Sequence, residues 1–192
     1  MILLLALVLG LFAGLGPTYW GRRPFQLPDL RYLWLVFVAF LPQVFISHLA
    51  NLPNQLVATF LLVSQILLFG FAWLNRRIPG MPILICGVLL NLLVMAANGG
   101  FMPISPHTAG QFVSAERLLN VQLGSRIGAK DILLFSQDTR FEWLADRFLT
   151  PAWTAYRAAF SLGDVFIALG AFWLLAKPVQ TLQFMTTRGV QS

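Results

Sequence analysis

Apolar residues run in five long stretches along this chain, and the charged, Gly and Pro positions crowd into the gaps between them. The stretches cover about 2–20, 32–50, 55–75, 81–98 and 157–176. Each approaches the roughly 20 apolar residues that a helix needs to cross a bilayer. The pattern predicts an all-α membrane protein, one integral-membrane domain over 1–192 with five transmembrane helices. Pro17 and Gly21 mark the exit of the first stretch, Pro79-Gly80 and Gly99-Gly100 bracket the fourth, and Lys177-Pro178 stops the fifth. The first stretch lacks the basic start and cleavage signal of a secretory leader, so it reads as a retained helix.

Charge sets the expected orientation. Arg22, Arg23, Arg31, Arg76, Arg77, Lys177 and Arg188 all fall in the first connector, the third connector or the tail, whereas 49–54 carries no charge. Short loops rich in Lys and Arg stay in the cytoplasm, which predicts an N-out/C-in topology. Trp20, Trp34, Trp73 and Trp173 lie beside the same boundary, as an aromatic belt would. The long connector 99–156 then faces outside, with Arg117, Arg126, Lys130, Arg140 and Arg147 nearly balanced by Glu116, Asp131, Asp138, Glu142 and Asp146. Within it, 108–123 has a helical look through Phe112, Leu119 and Leu123, and Gly124 is a plausible stop. Met102-Pro103 is expected to turn the chain along the membrane surface. Phe141, Trp143, Leu144, Phe148 and Trp153 are expected to rest on that surface or on the helix ends.

Composition removes other classes. Only 10% of residues are charged and 58% are hydrophobic, against roughly 25% charged in a soluble domain. The net charge of +6 sits at the ends of apolar stretches, so the lipid bilayer is the expected partner and nucleic acid is not. Cys86 stands alone, which excludes an intrachain disulfide. His48 and His107 do not by themselves furnish a tetrahedral metal site. No phosphate loop, Ser-His-Asp set or Cys-His pair is present, so no catalytic residue and no metal site is assigned, and any cofactor stays open.

Polar residues inside the apolar stretches are the remaining candidates. Ala6, Gly10 and Gly14 form a small-residue ladder that lets helices approach closely, either in a homodimer through Gly10 and Gly14 or within one bundle. Pro42 should kink the second helix, with Gln43, Ser47 and Asn51 on one face and His48 beside it, lining a cavity or bonding neighbouring helices. Gln65 and Asn91 are expected to bridge helices, and Gly87, Asn91 and Asn98 share one buried face. Ser161-Leu-Gly-Asp164 reads as a capping box. The run from Leu162 to Ala176 spans only about 22 Å, so 152–160 either continues that helix or covers its end. Asp164, the only carboxylate among the apolar stretches, then lies below the interface and needs a cation; Arg140 is the expected partner, with Arg157 second.

Asn98-Gly-Gly-Phe-Met-Pro-Ile-Ser105, Thr139-Arg140 and Phe160-Ser-Leu-Gly-Asp-Val165 together resemble the pattern of a bacterial family of small integral-membrane proteins catalogued only as a domain of unknown function. The resemblance covers essentially the whole chain. Where that family often has a histidine, Lys130-Asp131 stands before Ile132-Leu133-Leu134. The resemblance implies a bacterial inner-membrane protein with no established activity, and it groups Asn98, Gly99, Gly100, Ser105, Arg140, Ser161 and Asp164 as an outer-face cluster. The leading expectation is a non-catalytic accessory or assembly subunit of a membrane complex, holding lipid, quinone or pigment. The alternative is an enzyme or carrier acting on a lipid or amphiphile at the outer leaflet through Asp164 and Arg140. An open pocket reaching Asp164 favours the alternative; a paired Asp164 with no pocket favours the first.

Overall fold

The computed structural model describes residues 2–19, 28–48, 52–114, 116, 118, 120–152, 154 and 157–176. Five apolar helices form: α1 (Ile2–Tyr19), α2 (Trp34–His48), α3 (Asn54–Leu74), α4 (Met81–Ala97) and, after a long connector, α6 (Leu162–Ala176). Pro82 occupies the first turn of α4, where a missing N–H costs nothing. Asn98 closes α4, with Gly99 and Gly100 at φ 71° and 90°. The Gly100 N–H bonds the Met95 carbonyl at 2.8 Å, as a glycine C-cap requires.

The helices pack in the order α1–α6–α4–α3–α2, an arc with α1 and α2 at its two ends. The tightest seam joins α4 to α6, where Gly87 faces Gly163 and Gly80 faces Gly170. A Cβ at Gly87 would lie 2.5 Å from the Gly163 carbonyl oxygen, and one at Gly170 would lie 2.7 Å from Leu84 N. Gly10 makes its close approach within the chain, since a Cβ there would meet the Phe172 carbonyl oxygen of α6 at 2.8 Å. At one end of the bundle, buried Asn75 ties α3 to the approach to α2. Its side chain accepts from Arg31 N at 2.8 Å and donates to Arg31 O at 2.9 Å and Phe71 O at 2.8 Å.

The other end carries the connector, and here the structure departs from an all-α chain. β1 (Met102–Ile104) runs parallel to β3 (Asp131–Leu133), which pairs antiparallel with β2 (Arg126–Ile127). A short helix α5 (Pro106–Ala109) follows β1, and β4 (Phe148–Leu149) pairs with β5 (Ala159–Phe160). Met102 and Pro103 are therefore buried in a sheet and do not lie along a surface. Leu144 joins Ile46, Val57, Leu61, Val94, Met95, Phe101 and Met102 in one apolar core that welds the sheet to α2, α3 and α4. Phe141, Trp143 and Phe148 stay exposed, and Trp153 lies outside the described residues.

The 108–123 helix is broken into pieces: α5 is one turn, helical backbone recurs at Glu116 and Leu118, where Leu118 N bonds Ser114 O at 3.0 Å, and Gly124 (φ 82°) bonds Leu133 O through its N–H. The fifth apolar stretch does not begin at 157. Pairing with β4 holds 159–160 extended, so the connector covers the end of α6 as a separate element. Among the described residues one helix, α3, is long and apolar enough to cross a membrane by length and composition, and the other apolar helices are shorter. Pro42 lies inside α2; the side chains of Gln43, Ser47 and His48, and residue Asn51, fall outside the described residues.

Candidate functional site

The capping box forms as its spacing dictates. Asp164 N donates to Ser161 Oγ at 3.0 Å, and Ser161 N donates to Asp164 Oδ2 at 3.2 Å. Asn91 of α4 completes a closed circuit: its Nδ2 donates to Asp164 Oδ1 at 2.8 Å, and its Oδ1 accepts from Ser161 Oγ at 2.8 Å. The bridge between helices expected of Asn91 is thus made to the first turn of α6.

A cation from the connector does meet Asp164, but it is Lys130, whose Nζ lies 3.9 Å from Asp164 Oδ2. The sheet decides this choice. The Lys130 carbonyl accepts from Met102 N at 2.9 Å, which fixes the turn entering β3 against β1 and points Lys130 toward the helix ends. On the other edge of β1, Asp146 bridges to Ile104 and donates its N–H to Pro103 O at 3.1 Å. Its buried carboxylate takes the Lys130 ammonium at 2.8 Å, and Asp131 stands 4.0 Å from the same nitrogen.

Three carboxylates thus surround one ammonium. Burial works against the Lys130 charge, but Asp146, Asp131 and Asp164 more than reverse that cost and hold the ammonium well above its ordinary range. Asp131 is pushed up to about 7, first by burial and then by the Asp146 and Asp164 charges, against the pull of Lys130. Burial likewise raises Asp146. Asp131 and Asp146 each keep one buried carboxyl oxygen without a hydrogen-bond partner.

Two cavities meet at this cluster. One, of about 610 Å³, lies inside the helical arc and is walled by apolar side chains such as Leu7, Val36, Leu68, Val88 and Ile167. Its polar lining includes Gln65, Asn91, Lys130 and Asp164. The Gln65 Oε1 is buried without a hydrogen-bond partner, so that amide does not bridge helices through its oxygen. The other cavity, of about 370 Å³, is polar and lies within the connector, lined by Ser105, His107, Ser136, Glu142, Asp146 and Arg147 among others. The Lys130–Asp146 pair stands between the two.

The seven residues grouped from the sequence do not form one cluster. Ser161 and Asp164 share the circuit with Asn91. Asn98 clasps Arg140 through the latter's backbone, accepting from its N at 3.0 Å and donating to its O at 2.9 Å. Arg140 is thus tied to the end of α4 beside Gly99 and Gly100, and the expected Arg140–Asp164 pair is replaced by Lys130–Asp164. Arg157 reaches Gln111 O at 3.4 Å instead. Ser105 caps α5, accepting from Thr108 N at 3.1 Å. Lys130, Asp131 and Asp146 are the site residues that the sequence leaves hidden, since they read as mutually balancing charges of a solvated loop. Among the described residues no group of three His, Cys, Asp or Glu side chains is arranged to hold a metal ion.

The model of a family of unknown function, DUF5317, matches residues 28–176. An uncharacterized protein of Thermotoga maritima is 32% identical over 115 residues, 57% of this chain and 58% of that protein. The chain thus spans less than two thirds of that relative's length. No solved structure matches.

Proposed function

The chain belongs to the DUF5317 family of unknown function, and from the geometry of its site we propose that it is a small non-catalytic integral-membrane protein that holds an amphiphile, as an accessory subunit of a membrane complex. The observation that carries the reading is the cavity of about 610 Å³, apolar along the helices and polar at the Lys130–Asp164 end. Its size falls in the roughly 300–1,000 Å³ range of small-molecule sites. Asp164 is engaged by Asn91 and Ser161 and faces Lys130. The two criteria divide: the pocket reaching Asp164 is the one expected of an enzyme or carrier, whereas the pairing of Asp164 with Asn91 and Ser161, and the clasp that holds Arg140 at Asn98, favour holding over proton transfer.

In this reading all five apolar helices lie in the bilayer, N-out and C-in, with the sheet outside. Leu4, Phe12, Phe37 and Phe45 are 66%, 70%, 67% and 61% exposed, and apolar patches on that scale mark a membrane or a partner. The short α6 is roofed by β4 and β5, which supports a connector seated at the outer interface. Reporter fusions after Asn75 should read cytoplasmic, and one near Gln122 external; a cytoplasmic reading at Gln122 breaks the topology.

The function is tested by purifying the full chain from its native membrane in mild detergent. Mass spectrometry of lipids and proteins, with an absorption spectrum for quinone or pigment, should find a bound amphiphile. Leu68→Trp, which fills the cavity from α3, should lose it. A wild-type protein carrying nothing above a detergent-only control overturns the reading.

A further inference from the structure

Resting on the reading of the apolar cavity as an amphiphile site, we infer that its occupant carries a neutral, hydroxyl-bearing head group, held between Lys130 and Asp164 and discriminated from anionic phospholipids. Both side chains line the polar end of that cavity. Their 3.9 Å separation is too long for a direct hydrogen bond. It is short enough for one oxygen to bond both, at about 2.8 Å to each. Lys130 has donors to spare, because Asp146 at 2.8 Å takes one of its three N–H groups while Asp131 and Asp164 stand at 4.0 and 3.9 Å. Asp164 has lone pairs to spare beyond those given to Asn91 Nδ2 and Ser161 N. An ammonium donor beside a carboxylate acceptor is complementary to a hydroxyl, which both accepts and donates.

Charge excludes the other head groups. A cationic head meets the Lys130 ammonium, and an anionic one meets Asp164 with Asp131 and Asp146 behind it. Asp146, Asp164 and Asp131 stand 2.8, 3.9 and 4.0 Å from the one ammonium, so with Asp131 protonated two carboxylates still face it and a phosphate would enter a site already net negative. Deeper in the same cavity, the buried and unpartnered Gln65 Oε1 offers a second acceptor to a ligand that brings its own donor. An apolar cavity filled by hydrocarbon alone leaves that oxygen and the Lys130 donors unsatisfied, which is costly in a low-dielectric site.

Dioleoylglycerol and dioleoylphosphatidic acid share their chains and differ only in the head group, so they separate head-group choice from cavity binding. The delipidated full-length protein in mild detergent would be titrated with each and the bound fraction read by native mass spectrometry. Dioleoylglycerol should bind about tenfold or more tightly than the phosphatidic acid, a margin set by one well-made polar interaction. Asp164→Asn removes the charged acceptor, so it should weaken the glycerol lipid and narrow the preference. Thermal unfolding of that variant checks that it is folded. Asp131→Asn, isosteric with the protonated acid, leaves one ammonium facing two carboxylates and should retain the preference. Equal or tighter binding of the phosphatidic acid to wild type overturns the inference while leaving the cavity reading intact. Binding of neither lipid overturns both.

Discussion

Two polar knots close the two ends of the helical bundle, and they are built on opposite principles. At the α3–α4 end, the Asn75 amide spends its oxygen and nitrogen on the backbone of Arg31 and its own helix, and no formal charge is buried. At the sheet end, Lys130 gathers three carboxylates, two of which keep a buried oxygen without a partner. The first knot is what stability alone requires, since a neutral amide satisfies the chain where α2 begins at the least desolvation cost. The second costs far more to bury and opens onto a cavity, and groups kept under such strain mark sites of function more often than scaffolding.

The largest way to break the contrast is Lys130→Met, which strands Asp146, Asp131 and Asp164 around an apolar side chain. Removing one partner of a fully buried charge pair costs about 3–5 kcal/mol; the Lys130 side chain is 38% exposed, so solvent screening lowers the expected loss to about 1–3 kcal/mol. Thermal unfolding in detergent should register that loss, and a protein as stable as wild type would show that the carboxylates are solvated.

Second comes pH. The folded state holds the Asp131 proton up to about 7, whereas an ordinary aspartate releases it near 3.8. Between those values the folded chain binds more protons than the unfolded chain, so stability falls as pH rises. Asp146, also raised, acts in the same direction. Lys130, held above its ordinary range, contributes no slope below the ordinary lysine pKa. Going from pH 5 to pH 8 should cost on the order of 2 kcal/mol, and Asp131→Asn should flatten most of that slope. A wild-type profile that rises over this interval contradicts the buried acid pair.

Next is Asn75→Ala, which leaves the Arg31 amide and carbonyl unsatisfied at a cost of about 1–3 kcal/mol. It should leave the pH slope untouched, because no titratable group belongs to that knot; a changed slope would join the two ends. The smallest effect is expected for Ser161→Ala, about 0.5–2 kcal/mol for a lost cap. The upper half of that range applies if the bond from Ser161 to Asn91 adds to the cap.

How much of this was legible in the sequence follows the range of each interaction. The capping box is local, three residues from hydroxyl to carboxylate, and Ser161 and Asp164 behave as their spacing implies. The end of α4 was likewise readable from Asn98-Gly-Gly. The partner of Asp164 was not. Six basic residues share the connector, and the selection of Lys130 depends on parallel pairing of β1 with β3 across some thirty residues. Strands of two or three residues carry no periodicity to find. The same blindness turned buried Met102-Pro103 into a surface turn, and extended the last helix back through Ala159 and Phe160, which β4 claims.

The glycine seam between α4 and α6 has a consequence for how the protein is made. α6 is the wall on which both α4 and α1 rest, and it leaves the ribosome after the whole connector has been synthesised. Until then α1 and α4 each present an uncovered small-residue face, and Lys130 and Asn91 lack their Asp164 and Ser161 partners. Closure of the molecule therefore waits on a contact between its first and last described helices, a long-range step of the kind that slows assembly. A nascent chain halted before Leu162 leaves those faces uncovered, the kind of exposed apolar surface that makes incomplete chains prone to misassembly.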